Sequence, residues 1–195
     1  MANLVRLRRP RRTKSARLAS LNRLLYPLDV VYARAGVAPP TATPVAAVDL
    51  PQPYRALLDH ERDMTLTLEA HCGGRVALRV LSTYGRGESY FRRVLLVQES
   101  TGRPMEMGAI RIRTSAFPAR IRAAILRNDE PFSRLLRDGG LDFLSRPTAF
   151  LAVTPNSEMM GVFWMREPRT LYGRQTAVLM GGRQVGDIVE ILPLG

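Results

Sequence analysis

Lysine is almost missing from this chain of 195 residues, with Lys14 the only one. That scarcity excludes a core lysine forming a Schiff base with pyridoxal phosphate or a carbonyl substrate. It also excludes a Gly-Lys-Ser/Thr phosphate loop. Cysteine is equally scarce. Cys72 stands alone, so no intrachain disulfide can form, in keeping with the reducing cytoplasm, the expected location. Histidine occurs twice, at His60 and His71. His71 and its neighbour Cys72 point about 100° apart on a helix. No further ligand completes a zinc shell, so no metal is expected. There is no Gly-x-Ser-x-Gly elbow for a nucleophilic triad. No apolar run approaches the length of a membrane span.

What is abundant is arginine. The net charge of +12 suggests a nucleic-acid partner until it is located. Residues 1–23 hold Arg6, Arg8, Arg9, Arg11, Arg12, Lys14, Arg17 and Arg23, and no acid. Of 29 basic residues these eight lie in the tail, and the other 21 face 17 acidic ones. The excess is mostly a basic tail, expected to be disordered and to touch nucleic acid or anionic lipid only weakly. Its Arg/Ser-rich, acid-free character resembles a transit peptide, but residues 15–22 are too short and polar for the core of a twin-arginine export signal. In the body, cationic recognition falls to arginine, whose planar fork suits carboxylates.

Residues 18–35 read as an apolar, helical lead-in. Residues 36–51 hold Pro39, Pro40, Pro44 and Pro51 and read as an extended connector. Residues 53–60 predict a short helix. Asp63 can cap the next one and Gly73-Gly74 can end it. Strand-like segments follow at 75–83, 89–98 and 105–113, separated at hairpin lengths. Residues 115–127 and 130–137 predict helices. Residues 148–153 predict a strand, and 174–180 with 184–192 a terminal hairpin around Gly181-Gly182. Short turns imply antiparallel pairing. The expected class is α+β, with one antiparallel sheet and helices covering one face. A basic tail (1–23), a lead-in and connector (24–53) and a domain (54–195) complete the expected organisation.

Four places in this framework could carry chemistry. Glu190 alternates onto a largely apolar face with Ile188 and Leu192, where desolvation would raise its pKa and suit it to acid catalysis. An exposed edge carboxylate or a structural partner for an arginine fits the pattern equally well. Arg92 and Arg93 open an apolar strand, so one of them must point into apolar company. The pattern does not choose between them. Gly108 interrupts a strand, marking a bulge or a close approach by a ligand or another backbone. Arg174 is a second anion contact or a strand-end charge.

The segments Asp59-His60-Glu61-Arg62-Asp63-Met64-Thr65-Leu66-Thr67-Leu68-Glu69, Phe91-Arg92-Arg93-Val94-Leu95-Leu96, Gly102-Arg103-Pro104-Met105-Glu106-Met107-Gly108 and Ile188-Val189-Glu190-Ile191-Leu192-Pro193 occur in an order and spacing that resemble the chorismate pyruvate-lyase family. The resemblance covers roughly residues 54–193. It implies a chorismate-lyase-like fold and cofactor-free conversion of chorismate to 4-hydroxybenzoate and pyruvate, serving aromatic, ubiquinone or secondary-metabolite biosynthesis. It implies that Arg92, rather than Arg93, holds the ring carboxylate. Met64 and Phe132 would offer backbone amides, Gly108 would lie beside the ligand, and Glu190 would exchange the proton at the departing ether. The terminal hairpin is one residue longer than in the enterobacterial type, and Phe132 replaces a usual leucine. Together these imply a single acid, Glu190, facing Arg92 across a closed chamber.

The alternative is a non-catalytic domain on the same fold that binds or senses a small aromatic carboxylate. Ligand-sensing domains of some transcription regulators resemble these lyases, although no DNA-binding helical domain is predicted before residue 50. A nucleic-acid binder driven by the tail is a third reading, disfavoured by low aromatic content. The expected assembly is a monomer or small homo-oligomer.

Overall fold

A computed structural model describes residues 22–194. Most of the basic tail therefore lies outside the described residues. Seven strands form one antiparallel sheet: β1 (Thr41–Val45), β2 (Val76–Arg86), β3 (Ser89–Gln98), β4 (Pro104–Arg113), β5 (Leu144–Thr154), β6 (Leu171–Met180) and β7 (Arg183–Leu192), in the order β1-β5-β6-β7-β4-β3-β2. The centre of the sheet is β7 between β6 and β4. The C-terminal hairpin is therefore inserted between the middle strands and lies at the heart of the domain.

The helices are α1 (Leu28–Ala35), α2 (Tyr54–Leu58), α3 (Met64–Cys72), α4 (Ala119–Arg127), α5 (Phe132–Asp138) and α6 (Ser157–Val162). As expected, one sheet face is covered by helices, here α2 to α5. The opposite face is covered too, which the sequence reading did not anticipate. Leu25, with Leu28 and Tyr32 of α1 and Met159 of α6, packs on Leu95, Val97, Met107, Ala109, Val189 and Ile191. The physical reason lies in β3. Its residues from Tyr90 to Val97 are buried without a break, on both faces, and a strand apolar on both sides needs two covers.

The lead-in and connector thus supply part of the core. Residues 36–51 were expected to be extended, and their Thr41–Val45 stretch is the edge strand β1, paired with β5. Pro44 is tolerated there because an edge strand has one side without ladder bonds. Helix α6 lies between the strand predicted at 148–153 and the terminal hairpin, where no helix is predicted. Its start is capped by Asn156, whose side-chain oxygen accepts from the Met159 N–H at 2.8 Å.

On the first face the apolar contacts form two clusters. Leu57, Leu58, Met64 and Leu68 gather on Leu96 and Leu192. Phe117, Ile121, Ile125, Phe132 and Leu136 gather on Tyr90, Ile110, Ile112 and Val178. Each fully buried aliphatic or aromatic side chain contributes roughly 1.5–3 kcal/mol. The seam between the clusters runs over the middle of the sheet, and the candidate site lies there.

Candidate functional site

The seam holds a cavity of about 60 Å³, which restricts any occupant to a small molecule. Most of its floor comes from four strands. Arg92, Val94 and Leu96 project from β3, Glu106, Gly108 and Ile110 from β4, Ile188 and Glu190 from β7, and Val178 from β6. Its roof is the start of α3, with Met64 and Thr65, and the start of α5, with Phe132 and Ser133 after Pro131. All five residues expected at a site, Met64, Arg92, Gly108, Phe132 and Glu190, therefore line one cavity.

Two helix starts meet at the roof because polar contacts hold them there. Asp63 caps α3 by accepting from the Leu66 N–H at 3.3 Å, and its other carboxylate oxygen accepts from Arg137 of α5 at 2.6 Å. Thr65 and Ser133 share a hydroxyl hydrogen bond of 2.8 Å. Arg134 of α5 bonds Glu69 of α3 and also Glu130. Met64 and Phe132 open their helices, so their N–H groups belong to the first-turn donors that have no acceptor within the helix.

Arg92 is 2% exposed. Its Nη2 donates to the Glu130 carbonyl at 3.2 Å, while its Nε and Nη1 are buried without a partner. Among the described residues no carboxylate makes a salt bridge with it. Burial pushes its pKa down to about 10, with Tyr90 and Asp129 opposing the shift. It therefore stays charged at neutral pH, a buried cation with two donors to spare. Arg93 points to the other face, pairs with Glu158 at 2.6 Å and lies over the Tyr32 ring. The strand alternation left these two open, and the structure separates them.

Glu190 is not free. It accepts from Arg174 Nε in a short hydrogen bond and from the Thr176 hydroxyl at 3.0 Å. Arg174 stands directly across from it on β6 and is fully buried. The Nη1 of Arg174 donates to the carbonyls of Leu58 at 3.0 Å and His60 at 2.7 Å. Arg174 is thus neither a strand-end charge nor placed among the residues lining the cavity. It ties the segment before α3 to the sheet. Burial, followed by the neighbouring Arg174, lowers the pKa of His60. Among the described residues no cluster of His, Cys, Asp or Glu could hold a metal.

The expectation of a single acid needs correction, because Glu106 lines the same cavity. It is 4% exposed, and its Oε2 is buried without a partner. Burial raises its pKa well above the usual carboxylate range, and the charge of Glu190 adds to the rise. Glu190 is buried as expected, also 4% exposed, but unlike Glu106 it has a guanidinium and a hydroxyl as partners. The sequence carried one signal for it, a glutamate between Met105 and Met107 in a strand buried through seven residues. Alternation from Gly108 aims it correctly, since Glu106, Gly108 and Ile110 share the cavity face and the bulge at Met105 lies beyond them.

Gly108 is not the bulge. It pairs in register with Val94 and with Glu190. A Cβ there would meet Glu106 Oε1 at 2.9 Å and Val94 Cγ2 at 3.3 Å. Its bareness gives the Glu106 carboxyl room at the cavity floor. Gly108→Ala should therefore fold, because the nearer obstacle is the end of a flexible side chain, but should displace Glu106 into the cavity. The expected result, read by thermal denaturation, is a melting temperature within a few degrees of the parent. Gly173 is held more strictly. A Cβ there would lie 2.3 Å from the Glu190 carbonyl oxygen, so backbone, not side chain, fixes that glycine beside the Arg174–Glu190 pair.

No protein-family model matches the sequence, and no curated protein matches it. Solved structures do match. The gene product SA0254 of Staphylococcus aureus superposes with a TM-score of 0.51 at 8% identity, over 69% of this chain and 90% of that one. PhnF of Mycobacterium smegmatis superposes with a TM-score of 0.50 at 10% identity, over 68% of this chain and 64% of that one. The ligand-binding domain of a candidate GntR-family transcriptional regulator from Bordetella bronchiseptica matches at 0.48 and 12% identity, over 60% and 85%. The fold is α+β and chorismate-lyase-like. No helix among the described residues is long and apolar enough to cross a membrane.

Proposed function

We propose that this chain binds a small aromatic carboxylate in the cavity between α3, α5 and the sheet. The observation that carries the reading is Arg92, a buried guanidinium with two unpartnered N–H groups. A ligand carboxylate is the group that answers such donors, through charge-assisted hydrogen bonds. The first-turn amides of Met64 and Phe132 would complete its surroundings. Apolar Val94, Leu96, Ile110 and Val178 would hold the ring. Titration with 4-hydroxybenzoate tests this reading. Saturable binding that raises the melting temperature is expected, and its absence for every small aromatic carboxylate tried would sink it.

A second reading, chorismate pyruvate-lyase activity, is favoured by one specific feature. Two carboxyl groups in unlike surroundings, Glu106 and Glu190, line the cavity that also holds Arg92. In that reaction a ring C–O bond breaks, the ring loses a proton as it becomes aromatic, and the departing enolpyruvate gains a proton to become pyruvate. No net proton or electron is exchanged, so orientation and proton transfer suffice. Glu190 would handle the proton at the departing group. Incubation with chorismate separates the readings: a binding domain should release no pyruvate above the uncatalysed background. Many equivalents of pyruvate per chain would assign the lyase instead.

A further inference from the structure

We propose that Glu106 is the neutral hydrogen-bond donor of this cavity, so that the preferred ligand carries, beyond its carboxylate, an uncharged oxygen that accepts from Glu106. The proposal rests on the reading of Arg92 as the carboxylate anchor and adds the identity of the ligand's other end.

The geometry is as follows. Arg92 reaches the cavity from β3, while Glu106 and Glu190 reach it from β4 and β7. On β7 the residue opposite Gly108 is Glu190. Glu106, two residues from Gly108, is therefore the diagonal neighbour of Glu190, a relation that places Cβ atoms about 7–8 Å apart or less. The two carboxyl groups differ in what holds them. Glu190 has a guanidinium and a hydroxyl. The Oε2 of Glu106 has nothing, and the charges facing Glu106 are Glu190, Arg174 and Asp63. Arg174 already spends its Nε on Glu190 and its Nη1 on two carbonyls. Two of the three charges are negative, and burial adds to them. Glu106 thus keeps its proton, its pKa raised by burial first and by the charge of Glu190 second. Neutral, it is a donor. Ionised, it would be a second buried anion without a cation of its own, and burial of such a group is disfavoured.

A buried donor without an acceptor is costly until a ligand supplies one. An apolar ring end leaves it unsatisfied, whereas a hydroxyl, ether or carbonyl oxygen answers it. Pockets built to bond a polar group discriminate strongly against analogues that lack it.

The test uses the full chain and two probes, 4-hydroxybenzoate and benzoate, titrated calorimetrically near pH 6. The parent should prefer 4-hydroxybenzoate by about fivefold to tenfold, as one hydrogen bond supplies. Glu106→Gln, which keeps an N–H donor, should retain most of the preference, while Glu106→Leu should erase it. Glu106→Met replaces the leucine variant if that chain does not fold. Three results would overturn the proposal: no preference in the parent, a preference surviving in the apolar variant, or loss of preference in the glutamine variant, which would mean that an ionised acceptor was required. Failure of both probes to bind the parent would instead remove the Arg92 reading beneath it. Binding that depends on Arg92 but ignores Glu106 would remove this inference alone.

Discussion

Replacing Arg92 by methionine should abolish binding of small aromatic carboxylates while leaving the ligand-free protein at least as stable. Two facts set the sign of each effect. The guanidinium is buried, and it has one hydrogen bond, to the Glu130 carbonyl, for its several N–H groups. Burial is severe enough to lower its pKa to about 10. A charge kept in the interior with donors unpaired destabilises the fold, and an apolar side chain of similar length relieves that strain. Sites of this kind persist because function requires them. Binding moves the other way. Truncating one partner of a buried, hydrogen-bonded charge pair costs about 2–5 kcal/mol, so calorimetry should record at least ~30-fold weaker binding of 4-hydroxybenzoate. Thermal denaturation with and without ligand checks both halves at once. The parent should gain melting temperature on adding ligand, and Arg92→Met should gain none. Unchanged affinity, or a variant far less stable than the parent, would show that Arg92 is a structural residue.

The parts of this fold that were legible in the sequence are those governed by local rules. Asp63 and Gly73 bracket α3 as cap and terminator, and both act so. The glycine-bearing turns separate β2, β3 and β4 at hairpin spacing. The C-terminal hairpin stands where Gly181-Gly182 put it. What stayed hidden depends on contacts between distant segments. Strand β1 is short and contains Pro44, which locally argues against a strand, and it exists because β5 offers it an edge. The second cover of the sheet could not be inferred from residues 24–35 alone, whose apolar character fits a surface helix or a core one.

The site divides in the same way. Arg92, Gly108, Met64, Phe132 and Glu190 followed from a family resemblance, and the fold gathers all of them at one cavity. Local alternation placed Arg92 and Arg93 on opposite faces but gave no reason to prefer either. Glu106 shares the cavity face with Gly108, two residues on, so alternation alone could have placed it there. Glu190 looked like an isolated acid because its partner, Arg174, is 16 residues away on the neighbouring strand. Only pairing of β6 with β7 turns that separation into a contact.

The Arg174–Glu190 pair leads to the second large expected effect. Glu190→Ala should lower the melting temperature by about 6–20 °C, corresponding to the ~3–5 kcal/mol lost when one member of a buried ion pair is removed in a domain of this size. The cause is less the lost attraction than the cation left behind. Arg174 has no exposed surface, and its Nη2 already lacks a partner. Glu190→Gln should cost less, since the amide oxygen can still accept from Nε. The double variant Arg174→Met/Glu190→Leu should recover most of the stability, because well-packed apolar residues commonly match or exceed a buried pair. It should not recover ligand binding. Arg174 also fastens the Leu58 and His60 carbonyls to the sheet, just ahead of the turn that sets the start of α3. Without that fastening the Met64 amide loses its fixed place over the cavity. A stable double variant that binds 4-hydroxybenzoate as tightly as the parent would show that the pair serves folding alone. Recovery of stability with lost affinity would show that the pair serves the site as well as the fold.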